Sequence, residues 1–205
     1  MGRWGYRLFE GDTDQDLAGD IDCFARDGKG NELHLMRLVN EPDTAIITAT
    51  RQKLNAGLCD KLFDKFRALE HEYDGKYRVC ILGALMMRTG AQIRQADLDH
   101  LRELAEGFAG RHGYVSPLAE DGFRHVGKVQ FLAALDHYEA GTPRDFDEPS
   151  CFHCGKIKAD IGQAPKKCGK CGGAWYCNVE CQRAAWRTHK PVCKTFAQSG
   201  MFLNV

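Results

Sequence analysis

The sequence predicts a mainly α-helical fold: a multi-helix N-terminal domain followed by a small metal-organised module. Three observations carry this prediction. Apolar residues recur at spacings of three and four through most of residues 14–138, the mark of amphipathic helices. Strand signals are few. Seven of the ten cysteines are crowded between positions 151 and 193.

The elements follow in chain order. Residues 1–12, with Trp4, Tyr6 and Phe9 roughly alternating, read as an extended segment lying on the core. The acidic run from Asp12 has the look of a calcium loop, but Leu17 and Cys23 stand where Gly and Glu are needed. It reads instead as a helix start over Asp14–Arg26, where acids suit the positive end of the helix dipole. Residues 32–39 alternate enough to be helix or strand. A helix is expected over Asp43–Asn55. Leu54, Leu58, Leu62, Phe66 and Leu69 form one helical face, broken near Asn55 and Gly57 and ended at Asp74-Gly75. Tyr77–Arg88 is apolar on nearly all sides, so it should be the central helix, with Gly90 at its C′ position. Leu98–Phe108, with Asp97 as N-cap, and Val126–Tyr138 complete the set. Residues 1–140 are therefore an acidic helical domain. The Pro-, Gly- and charge-rich stretch 141–150 reads as a linker.

Composition narrows the function classes. The longest apolar runs are far shorter than the roughly 20 residues that span a bilayer, so no membrane partner is expected. The N-terminus lacks a secretory apolar core. Its Met-Gly start fits N-myristoylation poorly, with Tyr6 in place of Ser or Thr. An intracellular, reducing setting is expected, nuclear or cytoplasmic, with the cysteines serving metal rather than disulfides. Net charge is zero, but residues 1–147 carry −6 and residues 148–205 carry +6.

From Cys151 the potential ligands form four pairs: Cys151/Cys154, Cys168/Cys171, Cys177/Cys181 and His189/Cys193. Structural zinc takes four sulfur or nitrogen ligands in a tetrahedron, so eight ligands mean two closed sites. Two divalent ions and seven thiolates add three negative charges, which lowers the tail to about +3. The CxxC pairs suit tight turns flanked by Gly155, Gly169 and Gly172. The second half should be helical over about Val179–Arg187, with a further turn near His189–Cys193. His153 should point outward. Spacing alone leaves two pairings open, one in chain order and one interleaved. Interleaving has the advantage of tying both ends together in about 45 residues with little apolar core.

The order C-x2-C-x13-C-x2-C-x5-C-x3-C-x7-H-x3-C resembles the MYND-type zinc finger. Tyr176 before Cys177, Gln182 after Cys181, Trp186 and His189-Lys190 match that family too. The thirteen residues after Cys154 exceed its usual spacing and fall in a loop. The resemblance implies a short β-hairpin with helices and interleaved, cross-braced sites. Cys151/Cys154/Cys177/Cys181 would hold one zinc, and Cys168/Cys171/His189/Cys193 the other. It also implies a protein-interaction module, 151–193, followed by a tail, 194–205. Trp175, Gln182 and Trp186 would bind a proline-rich, PxLxP-like partner peptide laid along the hairpin. Trp186 has a plainer reading as a core residue of the small module. The opening MGRWGYRLFEGD is similar to the start of an uncharacterised family found in bacteria and in fungal MYND proteins. That likeness implies a shared fold and no activity.

Two rival functions have residues that could serve them. Lys156, Lys158, Lys166, Lys167, Lys170, Arg183, Arg187, Lys190 and Lys194 could meet phosphates, yet basic surfaces are common on zinc modules, and nucleic acid is not the expected partner. Some lysine methyltransferases carry a MYND insert, but no asparagine-histidine-serine-cysteine motif or cofactor glycine signature is found. Closed zinc sites leave no open coordination position. Asp97, His100 and Glu103 read as cap and solvated face, and Cys23, Cys59 and Cys80 as inert thiols. The expectation is a protein that is not an enzyme.

Overall fold

The computed structural model describes residues 4–25, 33–40, 43–108, 125–191 and 193. The expected tail 194–205 lies outside them. The helices of the first part are α1 (Asp12–Ala25), α2 (Leu35–Asn40), α3 (Thr44–Lys53), α4 (Cys59–Ala68), α5 (Gly75–Thr89), α6 (Gln95–Gly107) and α7 (His125–Asp136). The ambiguous stretch 32–39 is helical from Leu35, because the buried Asp22 carboxylate accepts the Leu35 N–H at 2.9 Å and starts the helix. Asp43 caps α3 by accepting from Ala45 and Ile46. The expected break falls at a π-turn, Leu54–Leu58, where Gly57 at φ +98° lets the chain kink into α4.

α5 is the centre. Every residue from Val79 to Gly90 is buried, and α1, α3, α4, α6 and α7 all pack on it. α6 crosses it so closely that a Cβ on Gly83 would lie 2.6 Å from a Leu101 methyl carbon. Gly90 ends the helix in the left-handed conformation, as expected. The acidic run begins α1, as expected, and Asp14 is buried there: it accepts from the Phe9 N–H at 2.9 Å and from the Tyr77 hydroxyl at 2.7 Å. Asp97 is not the cap of α6 either. It lies in the first turn, buried, bonded to Arg67 at 2.8 Å and Arg94 at 2.6 Å.

Residues 141–150 lie against the core. The N–H groups of Gly141 and Arg144 bond to the carbonyls of Gly90 and Met87, both at 2.9 Å, and so satisfy the end of α5. Phe146 enters the core edge-on to Phe9, with ring centroids 5.7 Å apart. Arg88, almost wholly buried, bonds to Asp147 and sits over both rings. The C-terminal part then holds α8 (Lys158–Ile161), a two-stranded antiparallel sheet of β1 (Lys166–Lys167) and β2 (Trp175–Tyr176), and α9 (Val179–His189). Lys166 faces Tyr176 and Lys167 faces Trp175. Among the described residues, no helix is long and apolar enough to cross a membrane.

Candidate metal centre

Both CxxC pairs are built the same way. Gly155 and Gly172 each follow the second cysteine with φ near +70°, and each returns its N–H to the carbonyl of the first, Cys151 or Cys168, at 2.8 and 2.9 Å. Only glycine takes that conformation freely. The turns aim backbone N–H groups at sulfur. Burial works against ionising Cys151 and Cys168, but N–H groups from Cys154, Cys177 and His153, and from Cys171 and Lys170, hold both thiols below their ordinary values.

The second half supplies ligands from α9. Asn178 caps it by accepting the Cys181 N–H at 2.8 Å. Cys177 lies just before the cap, Cys181 in the first turn and His189 at the last residue. The helix thus runs two residues past Arg187, and Pro191 follows where no N–H is available to extend it. Eight residues of rise separate Cys181 from His189, about 12 Å along the axis. One helix therefore serves two sites.

The ligand atoms form two groups, Cys151/Cys154/Cys177/Cys181 and Cys168/Cys171/His189/Cys193, each with all four atoms within 4.8 Å of one another. This is the interleaved pairing. Tetrahedral zinc, with bonds of about 2.3 Å to sulfur and about 2.0–2.1 Å to nitrogen, requires edges of about 3.8 Å between sulfurs and about 3.6 Å from sulfur to nitrogen. One pair in each group, Cys154 Sγ to Cys177 Sγ and Cys171 Sγ to His189 Nε2, is 3.5 Å apart. The charges agree. Burial, then repulsion from Cys151 and Cys154, pushes the Cys181 thiol up to about 12 and Cys177 higher. Burial and the Cys171 and Cys168 charges push Cys193 up to about 11. Four such sulfurs ionise together only around a cation. Burial lowers the His189 value and favours the neutral imidazole that a metal requires. Both clusters could hold zinc, with every ligand position filled by protein. His153 is exposed and belongs to neither.

Of the other singled-out residues, Trp186 is 38% exposed on α9, and Gln182 and Trp175 are half-buried. Trp175 and Tyr176 project to opposite faces of their strand. Tyr176 leads through His189 to Trp186, each pair of rings 5.9 Å apart, while Trp175 carries the Lys167 ammonium 4.7 Å over its ring. In the helical part, His100 pairs with Glu70 at 2.5 Å, and Glu103 stands 3.9 Å from its other nitrogen. Burial pushes the Cys59 thiol up to about 12 and Cys80 beyond that, so both are inert. Cys23 is exposed.

Sequence reading missed how the module meets the helices. Gly155 abuts α7 so tightly that a Cβ there would lie 1.9 Å from the Val129 carbonyl oxygen. Val126 and Tyr6 pack into the apolar cluster around the metal ligands. Arg144 pairs with Asp160 through two hydrogen bonds, at 2.5 and 2.7 Å, with both side chains more than nine-tenths buried. The available signal was weak: Asp160 is one of only two acids against eight Lys and Arg in residues 151–193.

Comparison with known proteins bears on the same segment. The MYND finger family model matches residues 151–193. An N-lysine methyltransferase SMYD2-A of Danio rerio is 32% identical over 46% of this chain and 22% of its own length. The N-lysine methyltransferase SMYD2 of Homo sapiens is 32% identical over 47% and 22%. A SET and MYND domain-containing protein of Dictyostelium discoideum is 41% identical over 22% and 8%. The chain therefore spans about a fifth of the length of these methyltransferases. No solved structure matches it. These relatives correct the expectation that the protein is not an enzyme: proteins named for lysine methyl transfer are among its relatives, and an enzyme is suggested. That expectation rested on missing motifs within 205 residues, a span far shorter than those relatives. With its eight ligands paired across the hairpin and α9 rather than in chain order, the segment 151–193 is a MYND-type zinc finger.

Proposed function

We propose that the finger recruits a protein partner by holding an extended, proline-rich segment of the PxLxP kind against Trp186, Gln182 and Trp175. MYND fingers are in general protein-interaction modules. The observation that carries the finer reading is Trp186. It stands 38% exposed on a helix whose two ends are fixed by metal ligands, Cys181 and His189. A rigidly held, partly exposed indole costs little entropy on binding, and aromatic faces grip proline rings. In this reading residues 1–140 and the packed segment 141–150 form the platform that presents the finger. The setting is a reducing, intracellular one in which seven thiols remain available to zinc. The test is titration of the zinc-loaded full chain with a PxLxP peptide. Trp186→Ala should weaken binding by about tenfold or more, the loss of a buried aromatic anchor. Equal binding by both proteins would overturn the reading.

The relatives favour a second reading, lysine methyl transfer by a protein of which this finger is part. Incubation of the full chain with a labelled methyl donor and candidate acceptor proteins tests it. Label transferred to lysine supports the reading, and none above background opposes it.

A further inference from the structure

The exposed face of α9 is apolar and cationic by turns. Val179, Arg183, Trp186 and Lys190 follow one another at spacings of four, three and four, so they form one stripe. All four are exposed, Val179 by 53%. Arg187 lies beside the stripe, and Glu180 is the one acid on the helix. The nearby hairpin adds exposed Lys166 and Lys167, with Lys167 held over Trp175.

This charge is not consumed by the metal sites. Residues 151–193 carry eight Lys and Arg against two acids, a balance of +6. Seven thiolates and two divalent ions subtract three, which leaves about +3. One of the two acids, Asp160, is buried against Arg144 from outside the finger, so it does not offset the surface cations. The rest of the chain is acidic, −6 over residues 1–147. An anionic ligand is therefore drawn to the finger and repelled elsewhere, which sets its approach as well as its affinity.

Resting on the interaction reading above, we infer that the partner segment is acidic: an apolar or proline anchor seated on Trp186 and Val179, flanked on both sides by Asp or Glu that meet Arg183, Lys190 and Lys167. An apolar residue, Trp186, between two cations, Arg183 and Lys190, is what separates this surface from a plain phosphate-binding one. Charges spaced along the anchor give specificity and a fast encounter at the cost of salt sensitivity.

The test uses the zinc-loaded full chain and three synthetic peptides that share one PxLxP core, with acidic, neutral or basic flanks. The acidic peptide should bind about tenfold tighter than the neutral one at low salt, and the advantage should shrink below about twofold near 0.5 M salt. Arg183→Glu should reverse the flank preference while binding of the neutral core stays within about twofold. Lys167→Glu, on the hairpin, provides the second variant should the first unfold. If the neutral core binds but the flanks change nothing, this inference fails and the interaction reading stands. If no peptide binds, both fail. If a short DNA duplex binds tighter than the acidic peptide and displaces it, the surface serves nucleic acid and the inference is overturned.

Discussion

The two parts of the chain are stabilised by different means. The helical part is organised around α5, whose run from Val79 to Thr89 is buried without a gap, and its stability is that of apolar burial. The finger has a small apolar cluster, half of it its own ligands, so its order is expected to come from coordination. Folding by burial is legible as periodicity along the chain; folding by coordination is legible as spacing between a few residues. Where the two parts touch, neither signal applies, because contact there depends on pairs far apart in sequence.

The largest separation of the two should come from removing metal. Structural zinc in small fingers is worth about 10–16 kcal/mol, so chelation should unfold residues 151–193 while the helices persist. Limited proteolysis with circular dichroism reads both parts at once, and elemental analysis should give about two zinc ions per chain. Cys177→Ala should have the same effect on the finger without a chelator. A finger still resistant to protease in that variant would show that burial, not coordination, supports it.

Next comes the junction. Asp160→Asn leaves Arg144 buried without its charge partner, at a cost of about 3–5 kcal/mol. Its pH dependence has a definite sign. Burial works against ionisation, but hydrogen bonds from Arg144 and the Ile157 N–H hold the Asp160 carboxyl below its ordinary value. Its contribution is complete above the unfolded value of about 3.9 and is lost as pH falls through the lower folded value. Carboxyl NMR titration of the wild type should find that lowered value; an ordinary one would dissolve the proposed anchoring.

The smallest effects sharpen the comparison most. Gly155 and Gly172 have the same backbone conformation, but a Cβ on Gly172 would meet nothing within 4 Å. Gly172→Ala should cost about 1 kcal/mol, the strain of the conformation. Gly155→Ala should cost about 2–4 kcal/mol, because it also drives a carbon into the backbone of α7. Denaturant midpoints measure both. Equal costs would mean that the finger does not bear on the helical part in solution.

Much of this was written in the sequence, and the omissions have physical reasons. The ligands were readable because zinc accepts few residue types at few spacings, yet both pairings satisfied those spacings until the hairpin and α9 were in place. The stripe Leu54–Leu69 and the break at Gly57 were readable from period and conformation. Asp97 was misread as a cap, and the partners of Asp14 and Asp22 were passed over, since an acid on a helix looks the same in sequence whether it faces solvent or is buried against Arg67, Tyr77 or the Leu35 N–H. The Gly155 contact with Val129 was hidden because the turn already explained the glycine.

α9 gives Cys181 to one cluster and His189 to the other, so the two sites should behave as a single cooperative unit. Binding of a first ion would form the helix and assemble part of the second site, so the second ion should bind more tightly than the first. With zinc supplied below two equivalents, the population should divide between empty and doubly loaded fingers, with few molecules between. Small changes in available zinc then act on this protein as a threshold.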